Sequence, residues 1–445
     1  MKKNYFYLAA ATLLLAGCAQ DSFVDENLQE TTVPQEIKMS AGNRGISVES
    51  RGAGSVDEWA DDTRINIYAF NKNIENFESK DDENVYLDNV PAKVSSANAV
   101  QLLNESGTPI TKYYPLQGAF RFVGYHIDDA VLGELVKSAT ELKIPVTIDG
   151  SQDVMIAKAE LTKDDKSLLL NKMQQLGVFN NNDDPYAFVD ENNNPLEGEE
   201  NIYATTIINE YEKAYSSYTA RRSVHPQMVF NHQLVRLNFF VKAGDPETVA
   251  QFRKDNEGKD TEDKLGVYIN SIQVNSHNAG QIIINNLGDI SFKDITKTDD
   301  EDKIQLSVPQ LIETGNNASD YDSTDENTKK KGTKVGEGIL VMPPFKSYTD
   351  EIDNLEYFYY DVNIGTIQYF DQNGTKMSEP LTNSYNNVKI KKPQLNGQTV
   401  PFEVGKSYDV TITVYSNQVI NITATLTGWI EGGNIEISPE DEYFQ

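Results

Sequence analysis

Leu15-Ala16-Gly17-Cys18 is the first place where residue types and spacing specify a reaction. A cysteine that becomes the first residue after a cut behind small side chains can take a diacylglycerol on its thiol. Several acyl chains on one residue make a stable anchor, where a single chain is marginal. The stretch before it fits the cut. Lys2 and Lys3 give a positive start, and Tyr5 to Leu15 form an apolar run too short to span a bilayer as a permanent helix. Residues 1–17 therefore read as a signal peptide and Cys18 as a lipidation site. Cys18 is also the only cysteine. A chain that spends it on lipid forms no disulfide and depends on its core, although its compartment would permit the bond.

Other reactive sets do not assemble in the sequence. His126, His225, His232 and His277 are scattered, with no HExxH pair, and no cysteine remains for zinc. His232, on a strand edge, reads as a hydrogen-bonded packing residue rather than a ligand. There is no G-x-S-x-G elbow, no G-x-G-x-x-G and no P-loop. Asp190-Glu191-Asn192-Asn193-Asn194 begins like a calcium loop. It then has Pro195 at the sixth place, where a glycine is needed, and Asn201 at the twelfth, where a glutamate is needed. Carboxylates are numerous, but no pair is singled out for glycoside hydrolysis. The expectation is a protein that is not an enzyme, with no catalytic residues, no metal and no cofactor.

The charge balance points the same way. Asp and Glu number 68 against 39 Lys and Arg, a net charge of −29. No basic stripe is present to meet phosphates, so nucleic acid is not an expected partner. Acidity of this size reads as solubility on a crowded surface. No apolar run after Leu15 approaches membrane-spanning length, which leaves the lipid as the expected attachment.

The elements behind these residues read as strands. Ala19 to about Gln35 is polar and acidic, a tether that cannot bury enough surface to fold. Ile37 to Glu49 reads as an extended segment, carried by Ile37, Met39, Ile46 and Val48 and broken at Gly42-Asn43-Arg44-Gly45. Arg64 to Phe70, Phe120 to Tyr125 and Val235 to Val241 are strands rich in β-branched and aromatic residues. Val267 to Val274 and Gln281 to Ile284 predict a hairpin around Asn278-Ala279-Gly280. Tyr357 to Ile364 is an aromatic-rich strand. Thr366 to Phe370 and Thr375 to Met377 predict a hairpin over Asn373-Gly374. Tyr408 to Tyr415 and Val419 to Leu426 close the chain. Helical spacing is seen at Val131 to Leu142 and Leu161 to Leu176, with a short helix at Pro246 to Asn256. Asn180 to Asn201 and Thr314 to Lys334 read as long loops. Strand number, tyrosine content and Asn/Asp/Gly turns predict a mainly β protein of sandwich domains with a few helical insertions.

Several short stretches, taken in order, resemble the fimbrillin family of Bacteroides-type bacteria, including its Mfa-like branch. After the lipobox cysteine, tether, first strand and arginine comes Trp59, before the strand Ile65 to Phe70. Tyr113-Tyr114-Pro115 with Gly118-Ala119-Phe120-Arg121-Phe122 and Tyr125 is similar to the family's YYP…G.F.F..Y stretch. Asp153-Val154-Met155-Ile156-Ala157 resembles its D-L-M-Y-A segment. Val229-Phe230-Asn231-His232 resembles its F-x-H strand. Val404-Gly405-Lys406-Ser407-Tyr408 and Trp429 resemble its close.

The resemblance implies two transthyretin-like β-sandwich domains in tandem. Here they would run over residues 52–286 and 287–445, after a tether and removable first strand at 18–51. It also implies a lipidated precursor carried to the outer membrane, where an arginine-specific surface protease removes the first strand. A strand from a neighbouring subunit would then complete the fold, by ladder hydrogen bonds and alternate side chains, and head-to-tail pairing would build a fimbria. The implied cut falls at Arg51, beside Gly52-Ala53-Gly54, with Arg44 as runner-up. The implied donor is Asn434, Ile435, Glu436 and Ile437, a segment that reads equally as the last strand of its own domain. Expected partners are other fimbrial subunits, the protease, a host or bacterial surface receptor, and the outer membrane through the lipid. The alternative is a monomeric glycan-binding surface lipoprotein of a nutrient-uptake system, with the Tyr357 to Tyr360 run as a sugar platform.

Overall fold

The computed structural model describes residues 34–43, 63–78, 84–95, 98–115, 118–127, 133–160, 179–181, 184–189, 194, 215–220, 225–243, 266–269, 271–295, 302–306, 312–313, 333–351, 353–365, 367–370, 385–391, 393–395, 398–415 and 419–427. In chain order the first strands are β1 (Ser40–Asn43), β2 (Thr63–Asn71), β3 (Val85–Val94), β4 (Val100–Leu102), β5 (Phe120–Ile127), β6 (Val136–Lys137), β7 (Glu141–Thr147) and β8 (Val154–Glu160). Next come β9 (Phe179–Asn181), β10 (Asp184–Val189), β11 (Gln227–His232), β12 (Val235–Ala243), β13 (Gly266–Ile269), β14 (Ile272–Ser276), β15 (Ala279–Asn285) and β16 (Ile290–Asp294). The last are β17 (Asp302–Leu306), β18 (Ile312–Glu313), β19 (Thr333–Val341), β20 (Lys346–Thr349), β21 (Glu356–Ile364), β22 (Ile367–Phe370), β23 (Tyr385–Ile390), β24 (Gln394–Leu395), β25 (Gln398–Thr399), β26 (Ser407–Tyr415) and β27 (Val419–Thr427). The only helix among the described residues is α1 (Ser217–Ala220). The protein is mainly β, in several packed sheets.

A seven-stranded sheet, in the order β1-β11-β8-β5-β2-β3-β4, organises the N-terminal part. Its inner strand β2 shows why the sequence from Ile67 to Phe70 is apolar without interruption. Tyr68 and Phe70 face one core, while Ile65, Ile67 and Ala69 face another, and all five are fully buried. A strand covered on both sides loses the polar alternation of a half-exposed one. The first core continues into the other sheets through Leu142 and Ile282, Leu237 and Phe239, and Val274 and Val362. The second is lined by β1, β2, β5, β8 and β11 and by Tyr114 and Tyr215.

Several ladders join strands before residue 286 to strands after it. β12 pairs in parallel with β26 and antiparallel with β19. Val235, Leu237, Phe239 and Val241 fill the core, and Asn238 on the other face donates to Ser407 Oγ at 2.9 Å. β15 pairs with β7 and with β16.

Four expectations are corrected here. Over Val131 to Leu142 the described part is not a helix but an irregular stretch, β6 and the start of β7. The decisive pattern is the period of two in Leu142, Ile144 and Val146, all buried against β15, whereas Val136 on the supposed helical stripe is 54% exposed. β14 and β15 do not form a hairpin. They lie in different sheets, and β15 instead turns into β16. There Asn285 Oδ1 accepts from Leu287 N and Asp289 N, and Gly288 takes φ 80°, a conformation glycine adopts without cost. Within the expected loop Asn180 to Asn201, β9 and β10 form an antiparallel pair. Finally, Gly42 and Asn43 continue β1 rather than breaking it. Leu161 to Leu176, Pro246 to Asn256 and the Asn373-Gly374 turn lie outside the described residues.

Tyrosine burial ties the fold to alkaline pH. Burial pushes the Tyr125 hydroxyl up to about 12, against a smaller opposing effect of its 2.7 Å bond to Asn89 Oδ1. Burial also raises Tyr68, Tyr114, Tyr360 and Tyr408. All five ionise more easily in the unfolded chain, so their contribution to stability is complete below about pH 10 and declines as pH rises through the folded values. Each group adds a slope of up to about 1.4 kcal/mol per pH unit. Urea midpoints measured from pH 9 upward should hold steady to pH 10 and then fall steeply through pH 12. A flat profile would contradict the burial.

Candidate functional site: the seat of the first strand

The chain from Gln35 to Asn43 is laid into the second core like a separate piece. Ile37, Met39 and Ala41 alternate along it and are 6%, 6% and 0% exposed. Lys38 and the polar residues between them face outward. This period of two is what an extended chain needs to place every second side chain in a cleft.

The backbone is held on both flanks. On one side β1 runs parallel to β11, with Ser40 opposite Gln227, Ala41 opposite Met228, Gly42 opposite Val229 and Asn43 opposite Phe230. On the other side the contacts are antiparallel bridges, Ser40 to Ala99 and Glu36 to Tyr113. The bonds are of ordinary length. Ala41 N donates to Asn98 O at 2.9 Å, Val100 N to Met39 O at 3.2 Å, Ile37 N to Lys112 O at 2.9 Å and Tyr114 N to Gln35 O at 2.8 Å. Val100 belongs to β4, the far end of the seven-stranded sheet. One short strand therefore joins the two ends of that sheet and closes the ladder.

The walls of the seat come from the stretches that stood out in the sequence. Phe120 and Phe122 on β5, Met155, Ala157 and Ala159 on β8, and Met228 and Phe230 on β11 share this core with Ile37 and Met39. Phe122 meets Tyr114 and Tyr215 edge to face, with centroids 6.2 and 5.8 Å away. Gly124 lets β5 pass under Phe230, since a Cβ there would lie 3.0 Å from the Phe230 ring. Next to the seat, His232 Nδ1 lies 2.6 Å from an Asp153 carboxylate oxygen, and both side chains are largely buried.

Cys18, Arg44, Arg51, Asn434, Ile435, Glu436 and Ile437 lie outside the described residues. Whereas the flank at Lys112 to Tyr114 overlaps the Tyr113-Tyr114-Pro115 stretch, what the sequence did not indicate is the flank at Asn98 to Val100. It acts mainly through backbone groups, and backbone leaves no compositional mark.

No protein-family model and no curated protein matches the chain. Among solved structures, the chain is similar to a candidate cell adhesion protein from Bacteroides uniformis. That match has 14% identity and a TM-score of 0.39, over 89% of this chain and 99% of the other. It is similar to the fimbrial anchor protein Mfa2 from Porphyromonas gingivalis at 10% identity and TM-score 0.29, over 90% and 100%. It is also similar to a fimbrilin from Porphyromonas gingivalis at 9% identity and TM-score 0.28, over 90% and 99%. Likeness at this level says nothing about activity or partners.

Proposed function

We propose that the protein is a structural and adhesive subunit of a cell-surface fimbria, exported as a lipoprotein on Cys18 and assembled by strand exchange. The observation that carries this reading is the seating of Gln35–Asn43. It is a short strand with three inward side chains, bonded on both flanks and connected to the rest of the fold only through residues 44–62. Cutting at Arg51 or Arg44 would leave it held by noncovalent contacts alone. Its departure would uncover the apolar faces of β5, β8 and β11 and two rows of unpaired backbone groups. An extended segment with apolar residues two apart fits that vacancy, and Ile435 and Ile437 supply such a pair. A donor carried at one end and a seat at the other give head-to-tail growth. The partners in this reading are further copies or related subunits, an arginine-specific surface protease, the outer membrane through the lipid, and a surface receptor.

Treating the purified chain with an arginine-specific protease tests the reading. The expected outcome is one early cut near Arg44 or Arg51, followed by a ladder of oligomers that resists mild detergent. A chain that is cut there, loses residues 35–43 and stays monomeric would rule out assembly through this seat.

A further inference from the structure

The seat of the first strand is not uniform along its length. Ile37 and Met39 fill places for long apolar side chains. Ala41 fills the third place, opposite Met228, and both are fully buried. A methyl group closes that end, and a longer side chain there would overpack it. The third place also carries a backbone requirement. Ala41 N donates to Asn98 O at 2.9 Å. A proline standing there in the same direction has no N–H to give and loses that bond. A chain that fits the seat therefore reads large, large, small at alternate residues.

The C-terminal stretch reads Glu431-Gly432-Gly433-Asn434-Ile435-Glu436-Ile437-Ser438-Pro439. With the period of two kept, few placements are open to it. Laid in the direction of the first strand, with Ile435 and Ile437 in the large places, it puts Pro439 in the small one. Slid by two residues in that direction, it puts Gly433 in a large place and Ile437 in the small one. Laid in the opposite direction, it matches all three: Ile437 at the place of Ile37, Ile435 at that of Met39 and Gly433 at that of Ala41. Glu436 and Asn434 then stand where Lys38 and Ser40 face outward. Sliding the reversed chain by two residues either way puts Ile435 or Glu431 in the small place. Reversal also changes the ladder. The first strand runs parallel to β11 over four residues, and parallel pairing is slightly weaker per residue than antiparallel. A reversed chain pairs antiparallel with β11.

We propose that Gly432 to Ser438 of a second copy enters the seat in the direction opposite to the departed strand, with Gly433 at the place of Ala41. The proposal rests on the strand-exchange reading and adds its direction and register.

Cysteine pairs read the direction. Ser40 is bridged to Ala99, which is exposed. Its place is taken by Asn434 in the reversed direction and by Ser438 in the forward one. Two double variants, Ala99→Cys with Asn434→Cys and Ala99→Cys with Ser438→Cys, are cut with the arginine-specific protease, which also removes Cys18, then oxidised and run on a non-reducing gel. The Asn434 pair should give a covalent ladder and the Ser438 pair should not. Synthetic peptides of residues 431–439 give a second reading, as the concentration that blocks oligomers of the cut parent. Gly433→Ala in the peptide restores the methyl group and removes glycine's conformational cost, so about threefold less should suffice. Gly433→Leu should require about tenfold more, and Pro439→Ala should change little. Cross-linking through Ser438, or a peptide improved by Pro439→Ala and indifferent at residue 433, overturns the proposal and leaves strand exchange standing. Oligomers that cross-link in neither variant overturn the choice of this segment. A cut chain that forms no oligomers overturns both readings.

Discussion

Replacing Ile37 and Met39 together by aspartate should detach the first strand without any protease. Truncating one buried Ile or Met side chain costs roughly 2–5 kcal/mol, and a carboxylate left in the apolar seat adds a desolvation penalty. The strand cannot hold against both. The loss is capped, however, because once Gln35–Asn43 has left, no further contact of its own remains to lose. Urea unfolding should therefore show a decrease of about 3–6 kcal/mol, being burial of two side chains at roughly 1.5–3 kcal/mol each. The variant should also form oligomers spontaneously, and a synthetic peptide of residues 35–43 should suppress them. A stability within about 1 kcal/mol of the parent would mean that the seat contributes little and that its burial is incidental.

Phe230→Ala should act from the opposite wall. Phe230 is fully buried, lies over Gly124 and shares its core with Ile37 and Met39. Deleting its ring leaves a cavity that the surrounding strands cannot close, at a cost of about 3–5 kcal/mol. Because it faces the same cleft, its effect should not add to that of the first-strand change. In the combined variant the total should fall short of the sum by about 1 kcal/mol or more, measured as a double-mutant cycle in urea. Simple additivity would separate Phe230 from the seat. After protease treatment, Phe230→Ala should also release residues 35–43 sooner than the parent does.

Much of the architecture was legible. Arg64 to Phe70 and Val235 to Val241 became β2 and β12 within a residue or two, because a run of β-branched and aromatic residues has few other uses. The alternation of Ile37 and Met39 was also readable, and it belongs to the seated strand. What failed did so for physical reasons. Val131 to Leu142 carries both a helical and a strand-like spacing, and the partner that decides between them, β15, is far along the chain. Val274 and Gln281 look like two arms of a hairpin, yet each finds a better ladder elsewhere. Gly42 looked like a break because glycine usually is one, but the parallel ladder to β11 carries straight through it.

The closed ladder has a consequence for the life of the chain before assembly. An open sheet edge is sticky from the moment it is made. Here the Gln35–Asn43 strand bonds to β11 on one flank and to Asn98 and to Val100 of β4 on the other, so the chain presents no raw margin at this place. If the chain assembles as proposed, such a molecule could be made and stockpiled at high concentration without adhering to its siblings. Adhesiveness would begin only where and when the covering piece is taken away, so the timing of polymer growth would be set by an encounter at the cell exterior rather than by the rate of protein synthesis.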